Sequence, residues 1–199
     1  MTGYAAVLLA GGAARRMGGV DKPARPVGGR PMLHRVLAAV AEASERVVVG
    51  PSGPVPAGTR VTREDPPGGG PVAATAAGLA LLRSDPPVVA LLAADLPLLT
   101  AGAVAELRRA LAGSADGVAC YVDGDGRRQQ LCGVWRLATL RAALDRLAAS
   151  RGGTVDGAPV RELLAGTTVR EVVWSGAGAP PWFDCDTDGD VRRAEEWAT

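Results

Sequence analysis

The chain has 199 residues, of which 47% are hydrophobic and 22% charged, and its formal net charge is +1. This length is enough for one sizeable hydrophobic core, so we expect a single domain over residues 1–199. The balanced charge argues against a nucleic-acid partner. No apolar run approaches the ~20 residues of a membrane-spanning helix. The sequence shows no signal peptide, so we expect a cytoplasmic protein.

The hydrophobic pattern predicts strands that alternate with helices. We expect strands at residues 4–10, 46–49, within 55–62, 87–93, 117–122, 129–135 and 169–174. We expect helices at residues 31–44, 72–82, 102–111, 137–148, 159–164 and 188–197. Such alternation predicts an α/β sheet with right-handed crossovers, in which ligands bind at the carboxyl ends of the strands.

A glycine-rich loop, LAGGAARRMGGVDK, follows the first strand at residues 9–22. Its glycines allow backbone amides to approach phosphate oxygens, and Arg15, Arg16 and Lys22 can neutralise a triphosphate. The loop matches neither the Walker A spacing nor the GxGxxG pattern. By these residues alone it is either an anion-binding loop or a flexible turn with solvated charges.

Lys22 is the only lysine among the 22 basic residues of the chain. A lysine ammonium is a compact charge on a flexible stem, whereas arginine carries a planar fork of donors. A lone lysine in an arginine-rich chain therefore suggests a task that arginine does not perform.

Asp95 follows the apolar strand at residues 87–93. A carboxylate held at the end of a rigid strand is well placed to ligate Mg²⁺, which proteins bind through one or two carboxylates together with phosphates. The alternative is that Asp95 caps the turn that follows it.

Two further segments carry polar groups. Residues 64–71, EDPPGGGP, form either a loop whose backbone approaches a base or phosphate, or a plain surface loop. Residues 182–190, WFDCDTDGD, are dense in carboxylates and indicate either a metal site or a helix cap at Thr187 or Asp188.

The cysteines and the histidine favour structural roles. Cys120, Cys132 and Cys185 form no CxxC pair, so we expect buried free thiols rather than a disulfide framework or a zinc site. His34 is the only histidine and falls within a predicted helix, which leaves a hydrolase triad poorly supported.

The motif LAGGxxxRMGGxDK at residues 9–22, followed by GxPML at residues 29–33, resembles the opening signature of the MobA-like nucleotidyltransferases. Segments similar to later motifs of that family follow in the expected order at residues 64–74, 93–99, 130–135 and 183–191. The resemblance implies an α/β, Rossmann-like, three-layer nucleotide-diphospho-sugar transferase fold with a mostly parallel sheet.

The resemblance is greatest to the branch that makes the guanine dinucleotide form of the molybdenum cofactor. It implies transfer of GMP from GTP to the terminal phosphate of molybdopterin with release of pyrophosphate, assisted by Mg²⁺, with other proteins of cofactor synthesis as possible partners. The alternatives are a cytidylyltransferase acting on molybdopterin, a transferase acting on another small-molecule phosphate, and a non-catalytic nucleotide-binding protein.

Carried over by position, the resemblance implies a set of site residues. Arg15, Lys22 and Asp95 are the expected catalytic residues. Asp184 and Asp186 stand where the family has asparagine, and we expect Asp186 to join Asp95 as a metal ligand, because a carboxylate binds Mg²⁺ more strongly than an amide. The expected nucleotide contacts are Leu9, Ala10, Gly11, Gly12, Lys22, Asp65, Gly70 and Asp95.

Overall fold

The computed structural model describes residues 3–11, 22–51, 53–176 and 178–198. Its strands are β1 (Tyr4–Leu9), β2 (Pro26–Val27), β3 (Arg30–Pro31), β4 (Glu45–Val49), β5 (Thr59–Thr62), β6 (Val88–Ala93), β7 (Val118–Val122), β8 (Arg128–Arg136) and β9 (Val169–Val173). Its helices are α1 (Met32–Ala39), α2 (Gly70–Ala80), α3 (Ala101–Ala112), α4 (Leu137–Ser150), α5 (Val160–Leu164) and α6 (Asp188–Ala198). Each strand and helix predicted from the sequence is present, with shifted ends.

Within the described ranges, seven strands form one sheet in the order β5-β4-β1-β6-β8-β7-β9. Only β8 runs antiparallel to its neighbours β6 and β7, so the predicted mostly parallel sheet is confirmed. Among the described residues, no helix combines the length and apolar character needed to cross a membrane.

The sequence analysis missed a small hairpin between β2 and β3. Val27 pairs with Arg30 across a turn made by Gly28 and Gly29, whose φ angles are 57° and 71°. Positive φ at both central residues is typical of the tight turns that join antiparallel strands, and glycine adopts it without steric cost. The adjacent glycines were the available signal for this hairpin.

Apolar cores on both faces of the sheet make the fold three-layered. Along β1, Ala6 and Leu8 pack into the core shared with α1 and α3, whereas Ala5, Val7 and Leu9 pack into the core shared with α2 and α4. Burying one such leucine or valine side chain contributes roughly 1.5–3 kcal/mol. The continuous apolar run of β1 is therefore explained by burial of both of its faces.

The three cysteines are buried and free, as the sequence analysis predicted. Burial raises the pKa of the Cys120 thiol to about 11 and that of the Cys185 thiol to about 12. Thiols with such pKa values are inert at neutral pH, because the thiolate is the reactive form.

Helix α2 lies directly on β1 and β4 at Gly78. A Cβ at Gly78 would lie 2.4 Å from Cγ1 of Val7 and 2.9 Å from Cγ2 of Val49. Because both neighbours belong to rigid central strands, glycine at this position sets the distance between the helix and the sheet.

We predict that Gly78→Ala destabilises the protein, although alanine is the better helix former. The helical preference gains about 1 kcal/mol, whereas overpacking against Val7 and Val49 costs about 1–3 kcal/mol. Chemical denaturation measures the difference. Gly102→Ala in α3 is the matched control, because its new methyl would meet only Oγ1 of Thr100 at 3.7 Å. Equal free energies of unfolding for the two variants would contradict this account of the packing.

Candidate functional site

The carboxyl ends of the central strands are level at one edge of the sheet. The backbone N–H of Ala10 donates to the carbonyl of Val49 over 2.8 Å, and the N–H of Ala94 donates to the carbonyl of Leu9 over 3.0 Å. The loops that follow β1, β4 and β6 therefore start side by side, where parallel sheets place their ligands.

Gly50, the first residue after β4, is pressed against the start of the glycine-rich loop. Its φ angle is 119°, and a Cβ there would lie only 2.5 Å from the backbone nitrogen of Gly11. Its own N–H donates to the carbonyl of Thr62 at the end of β5 over 2.9 Å. Only glycine fits this position, since any other residue would be strained and would clash with backbone atoms.

The ammonium group of Lys22 lies between two carboxylates. Its Nζ donates to Oδ2 of Asp95 over 2.5 Å and to Oδ1 of Asp186 over 2.7 Å. The side chains of Lys22 and Asp95 are only 17% and 21% exposed, so water screens this pair weakly. Burial lowers the pKa of Lys22, but the hydrogen bonds to Asp186 and Asp95 outweigh it, and the pKa lies above the ordinary 10.5.

The segment before α6 carries Asp186 to this position. The backbone N–H of Cys185 donates to the carbonyl of Asp95 over 3.3 Å, which fixes the segment beside the end of β6. Partial burial and then the negative charges of Asp186 and Asp95 raise the pKa of Asp184. Negative charge is thus concentrated at the site, with Lys22 as its described counter-ion.

The remaining carboxylates of the acidic segment serve the helix that follows. Asp190 accepts from the backbone N–H of Thr187 over 2.8 Å, and Oγ1 of Thr187 accepts from the N–H of Asp190 over 3.2 Å. This reciprocal pair caps α6. Asp188 pairs with Arg25. The sequence analysis offered a metal site or a helix cap for this segment. These two roles are compatible, because Thr187 and Asp190 cap the helix while Asp186 faces Lys22.

A cleft of about 380 Å³ opens beside Asp95. The sequence analysis did not expect most of its lining residues at the site, among them Arg128 and Gln129 of β8 and Trp182 of the acidic segment. The Trp182 ring packs against the Tyr121 ring at 5.1 Å between centroids. The cleft residues are Leu9, Gly11, Pro71, Ala93, Asp95, Leu96, Arg128, Gln129, Gln130, Leu131, Cys132, Val160, Trp182 and Asp184.

The structure brings several of the expected residues to this cleft. Leu9, Gly11 and Asp95 line it, and Ala10, between Leu9 and Gly11 in the chain, is buried and does not line it. Gly70 is the first residue of α2 and immediately precedes Pro71, which also lines the cleft.

Other expected residues lie elsewhere. Asp65 is exposed and lines a separate surface depression with Arg63 and Asp156. Gly12 and Arg15 fall outside the residues that the structure describes.

The donor set at Lys22 fits a divalent cation only in part. Carboxylate oxygens are the hard ligands that Mg²⁺ prefers, and Asp95 and Asp186 both present one toward Lys22. Among the described residues, however, no three histidine, cysteine, aspartate or glutamate side chains form a metal-binding group. A cation here would need further oxygens from a bound molecule.

Comparison with known proteins gives one family and several similar chains. Residues 6–168 match the MobA-like NTP transferase domain. The molybdenum cofactor guanylyltransferase of Bradyrhizobium sp. (strain ORS 278) is 34% identical over 206 residues, covering 99% of this chain and 94% of that protein.

Two solved structures share the fold at lower identity. Molybdopterin-guanine dinucleotide biosynthesis protein A from Archaeoglobus fulgidus has a TM-score of 0.73 at 17% identity, covering 96% of this chain and 97% of that chain. A 2-C-methyl-D-erythritol 4-phosphate cytidylyltransferase from Thermus thermophilus has a TM-score of 0.70 at 24% identity, covering 97% of this chain and 98% of that chain.

We predict that Lys22→Gln lowers the free energy of unfolding at neutral pH by about 1–2 kcal/mol. Most of this loss comes from Asp95, whose pair with Lys22 is weakly screened, because the Asp186 side chain is 63% exposed and its pair is screened by water. The raised pKa makes this stabilisation complete below the ordinary lysine pKa of 10.5, and it disappears as pH rises through the folded-state value. Denaturation of both proteins across this pH range measures the effect.

The matched control is Arg141→Gln, which removes a cation from an exposed pair with Asp85. It should change the free energy of unfolding by less than about 0.5 kcal/mol. A difference between wild type and Lys22→Gln that persists at high pH would contradict the electrostatic explanation.

Proposed function

The chain belongs to the family of MobA-like NTP transferase domains, and on that premise we propose that it transfers GMP from GTP to the terminal phosphate of molybdopterin, releasing pyrophosphate. The named relative that matches almost the whole chain supports the guanylyl reaction and the molybdopterin acceptor. The proposed location is the cytoplasm, where GTP is available, and other proteins of molybdenum cofactor synthesis are proposed partners.

The observation that carries the proposal is the meeting of Lys22, Asp95 and Asp186 where the central strands end. A nucleotidyl transfer needs positive charge beside the phosphates and oxygen ligands for a cation that accompanies them. The site supplies both kinds of group within one hydrogen-bonded cluster, next to the glycine that begins the phosphate-binding loop.

The proposed reaction is an in-line displacement at the α-phosphorus of GTP. An oxygen of the acceptor phosphate forms a bond to that phosphorus while the bond to the α,β-bridging oxygen breaks, and pyrophosphate leaves with the bonding electron pair. A phosphate nucleophile is already ionised at neutral pH, so no general base is required. Catalysis then consists of positioning the two phosphates and neutralising their charge.

The described residues divide these tasks. Lys22 offsets negative charge on the phosphates, since its flexible ammonium can move from a carboxylate to a phosphate oxygen. The backbone at Gly11 approaches the nucleotide without side-chain hindrance. Arg15, which lies outside the described residues, is proposed to assist Lys22, and Gly12 and Gly70 are proposed to contact the nucleotide by resemblance.

Mg²⁺ is the proposed cofactor, with Asp95 and Asp186 as the side chains that would hold it. When bound with the substrate, it supplies further neutralisation of phosphate charge. The proposed role of the two carboxylates is to present oxygens to this cation, and the backbone hydrogen bond from Cys185 to Asp95 supports it by holding the segment that carries Asp186 beside Asp95.

The cleft beside Asp95 is the proposed acceptor site. Arg128 offers a cation for the acceptor phosphate, and Trp182 offers an aromatic surface to a ring system. Its volume of about 380 Å³ is in the range of small-molecule pockets.

The decisive experiment incubates the purified protein with molybdopterin, Mg²⁺ and either GTP or CTP, and identifies the products by mass spectrometry. We expect the guanine dinucleotide and pyrophosphate with GTP. Formation of only the cytosine dinucleotide would show that CTP, not GTP, is the substrate. Binding of GTP without turnover would favour a non-catalytic nucleotide-binding protein.

We predict that Asp95→Asn lowers kcat at least tenfold, a loss of about 1.4 kcal/mol or more of transition-state stabilisation, because the amide retains the shape but not the charge. Steady-state kinetics with GTP and molybdopterin measure this loss. Asp85→Asn is the matched control, since Asp85 is exposed and pairs with Arg141 away from the cleft. Wild-type kcat in Asp95→Asn would remove Asp95 from the catalytic residues.

We predict that Asp186→Asn raises the Mg²⁺ concentration needed for half-maximal activity, while Asp188→Asn, which alters the neighbouring pair with Arg25, leaves it unchanged. The amide is a weaker ligand for a hard cation than the carboxylate. Activity is titrated against Mg²⁺ for both variants. An unchanged titration for Asp186→Asn would mean that Asp186 positions Lys22 and that Asp95 holds the cation with substrate oxygens.

A further inference from the structure

Tyr121 of β7 is a completely buried tyrosine that contacts two tryptophans. The ring centroids of Tyr121 and Trp174 are 5.7 Å apart with the rings perpendicular, and those of Tyr121 and Trp182 are 5.1 Å apart with the rings tilted by 35°. Both separations are typical of aromatic pairs. Trp174 directly follows β9 and Trp182 begins the acidic segment, so Tyr121 holds both ends of the connection between them.

The hydroxyl of Tyr121 ties this aromatic cluster to α3. It donates to Oε2 of Glu106 over 2.7 Å, and the carbonyl oxygen of Ala103 lies 3.0 Å away. Burial, followed by the hydrogen bond to Glu106 and its negative charge, raises the pKa of Tyr121 well above its usual 10.0, so the phenol keeps its proton and remains a donor. A phenylalanine would fill the same space without this bond. The hydroxyl therefore fixes where the ring lies rather than whether the core is filled.

Trp182 connects the cluster with the cleft beside Asp95. Its side chain is partly buried: it packs against the core that contains Tyr121, and it also lines the cleft. A tryptophan outside the helices and strands has several rotamers available, and contact with a fixed neighbouring ring removes most of them. Trp182 is therefore presented to the cleft in a fixed position before any ligand arrives.

The acidic segment has two separate anchors. Tyr121 holds its start through Trp182, and the backbone hydrogen bond from Cys185 to Asp95 holds it further along. The second anchor lies next to Asp186 and places that carboxylate beside Lys22. Loosening the first anchor should therefore affect the cleft without changing the charged cluster.

We propose that Tyr121 is a positioning residue for the acceptor: its hydroxyl, bonded to Glu106, holds Trp182 where the pterin ring of molybdopterin stacks on it. The inference rests on the proposed function, which supplies the acceptor. An aromatic surface that is already ordered binds a planar ring at a lower entropic cost than one that the ligand must order. Tyr121 itself does not line the cleft, so it acts only through Trp182.

The competing explanation is that Tyr121 only stabilises the fold. Its hydroxyl would then contribute to the free energy of unfolding, and the folded molecules of a variant without it would bind molybdopterin as wild type does. Steady-state kinetics on the folded protein separates the two explanations, because a lost positioning contact raises the KM for the acceptor while kcat is retained.

Tyr121→Phe should raise the KM for molybdopterin at least about threefold, with the KM for GTP and kcat within about twofold of wild type. Glu106→Gln, which leaves Tyr121 intact and weakens its hydrogen bond, should act in the same direction. Trp182→Ala, which removes the stacking surface, should raise the KM for molybdopterin at least about fivefold.

A double-mutant cycle supplies the readout that a purely structural role would not move. In the Trp182→Ala background, Tyr121→Phe should no longer change the KM for molybdopterin, because the ring that it positioned is absent. The matched control is Tyr4→Phe, the same change in a buried tyrosine at the start of β1, at the opposite end of that strand from the cleft. It should leave both KM values and kcat unchanged.

Several results would overturn the proposal. An unchanged KM for molybdopterin in Trp182→Ala would exclude stacking on this ring, whether or not Tyr121→Phe folds. Additive effects of the two changes would mean that Tyr121 acts independently of Trp182. A raised Mg²⁺ requirement in Tyr121→Phe, with an unchanged KM for molybdopterin, would mean that the contact serves to hold Asp186 instead.

The proposed function can fail separately, because equilibrium binding of molybdopterin needs no turnover. If wild type binds molybdopterin and both variants bind it more weakly while no dinucleotide forms, the positioning role stands and the transfer does not. If dinucleotide forms and the variants retain the wild-type KM, the transfer stands and the positioning role does not. Absence of molybdopterin binding by wild type would overturn both.

Discussion

The parallel pairing of β1 with β4 and β6 is the constraint on which the candidate site depends. It brings the carboxyl ends of these strands to one edge, where the hydrogen bonds from Ala10 to Val49 and from Ala94 to Leu9 continue it past the strand ends. Because β1 is buried on both faces, its end cannot shift without disturbing two cores. The loop glycines and Asp95 are therefore presented from a rigid base, which suits a reaction that relies on positioning.

The charged side chains at this edge of the sheet come from segments that are distant in the sequence. Lys22, Asp95 and Asp186 come from three separate parts of the chain, and a single ammonium serves two carboxylates. This arrangement keeps Lys22 close to the strand ends while its flexible stem leaves it free to exchange partners. A bound phosphate can pair with the ammonium of Lys22, and a cation that accompanies it can pair with the carboxylates of Asp95 and Asp186.

Gly50 and Glu64 lie beside the start of the glycine-rich loop. A Cβ at Gly50 would lie 2.5 Å from the backbone nitrogen of Gly11, and a Cβ at Gly11 would lie 3.9 Å from Oε1 of Glu64. The cleft that begins at Leu9 and Gly11 continues past Asp95 to Arg128 and Trp182, which offer positive charge and aromatic surface.

The sequence by itself determined the local elements and the strand-end positions of the first loop and Asp95. Continuous apolar runs, helical spacing and glycines act over a few residues, and these patterns predicted the α/β fold, while the resemblance to the family implied its mostly parallel sheet. Only the tertiary structure decided that β8 runs antiparallel, and that Asp186 meets Lys22 across 164 residues of sequence. It also decided that Glu64 is buried beside Gly11 while Asp65 is exposed. Adjacent residues of an extended segment point to opposite sides, and which side faces the site depends on how distant strands assemble rather than on any local pattern.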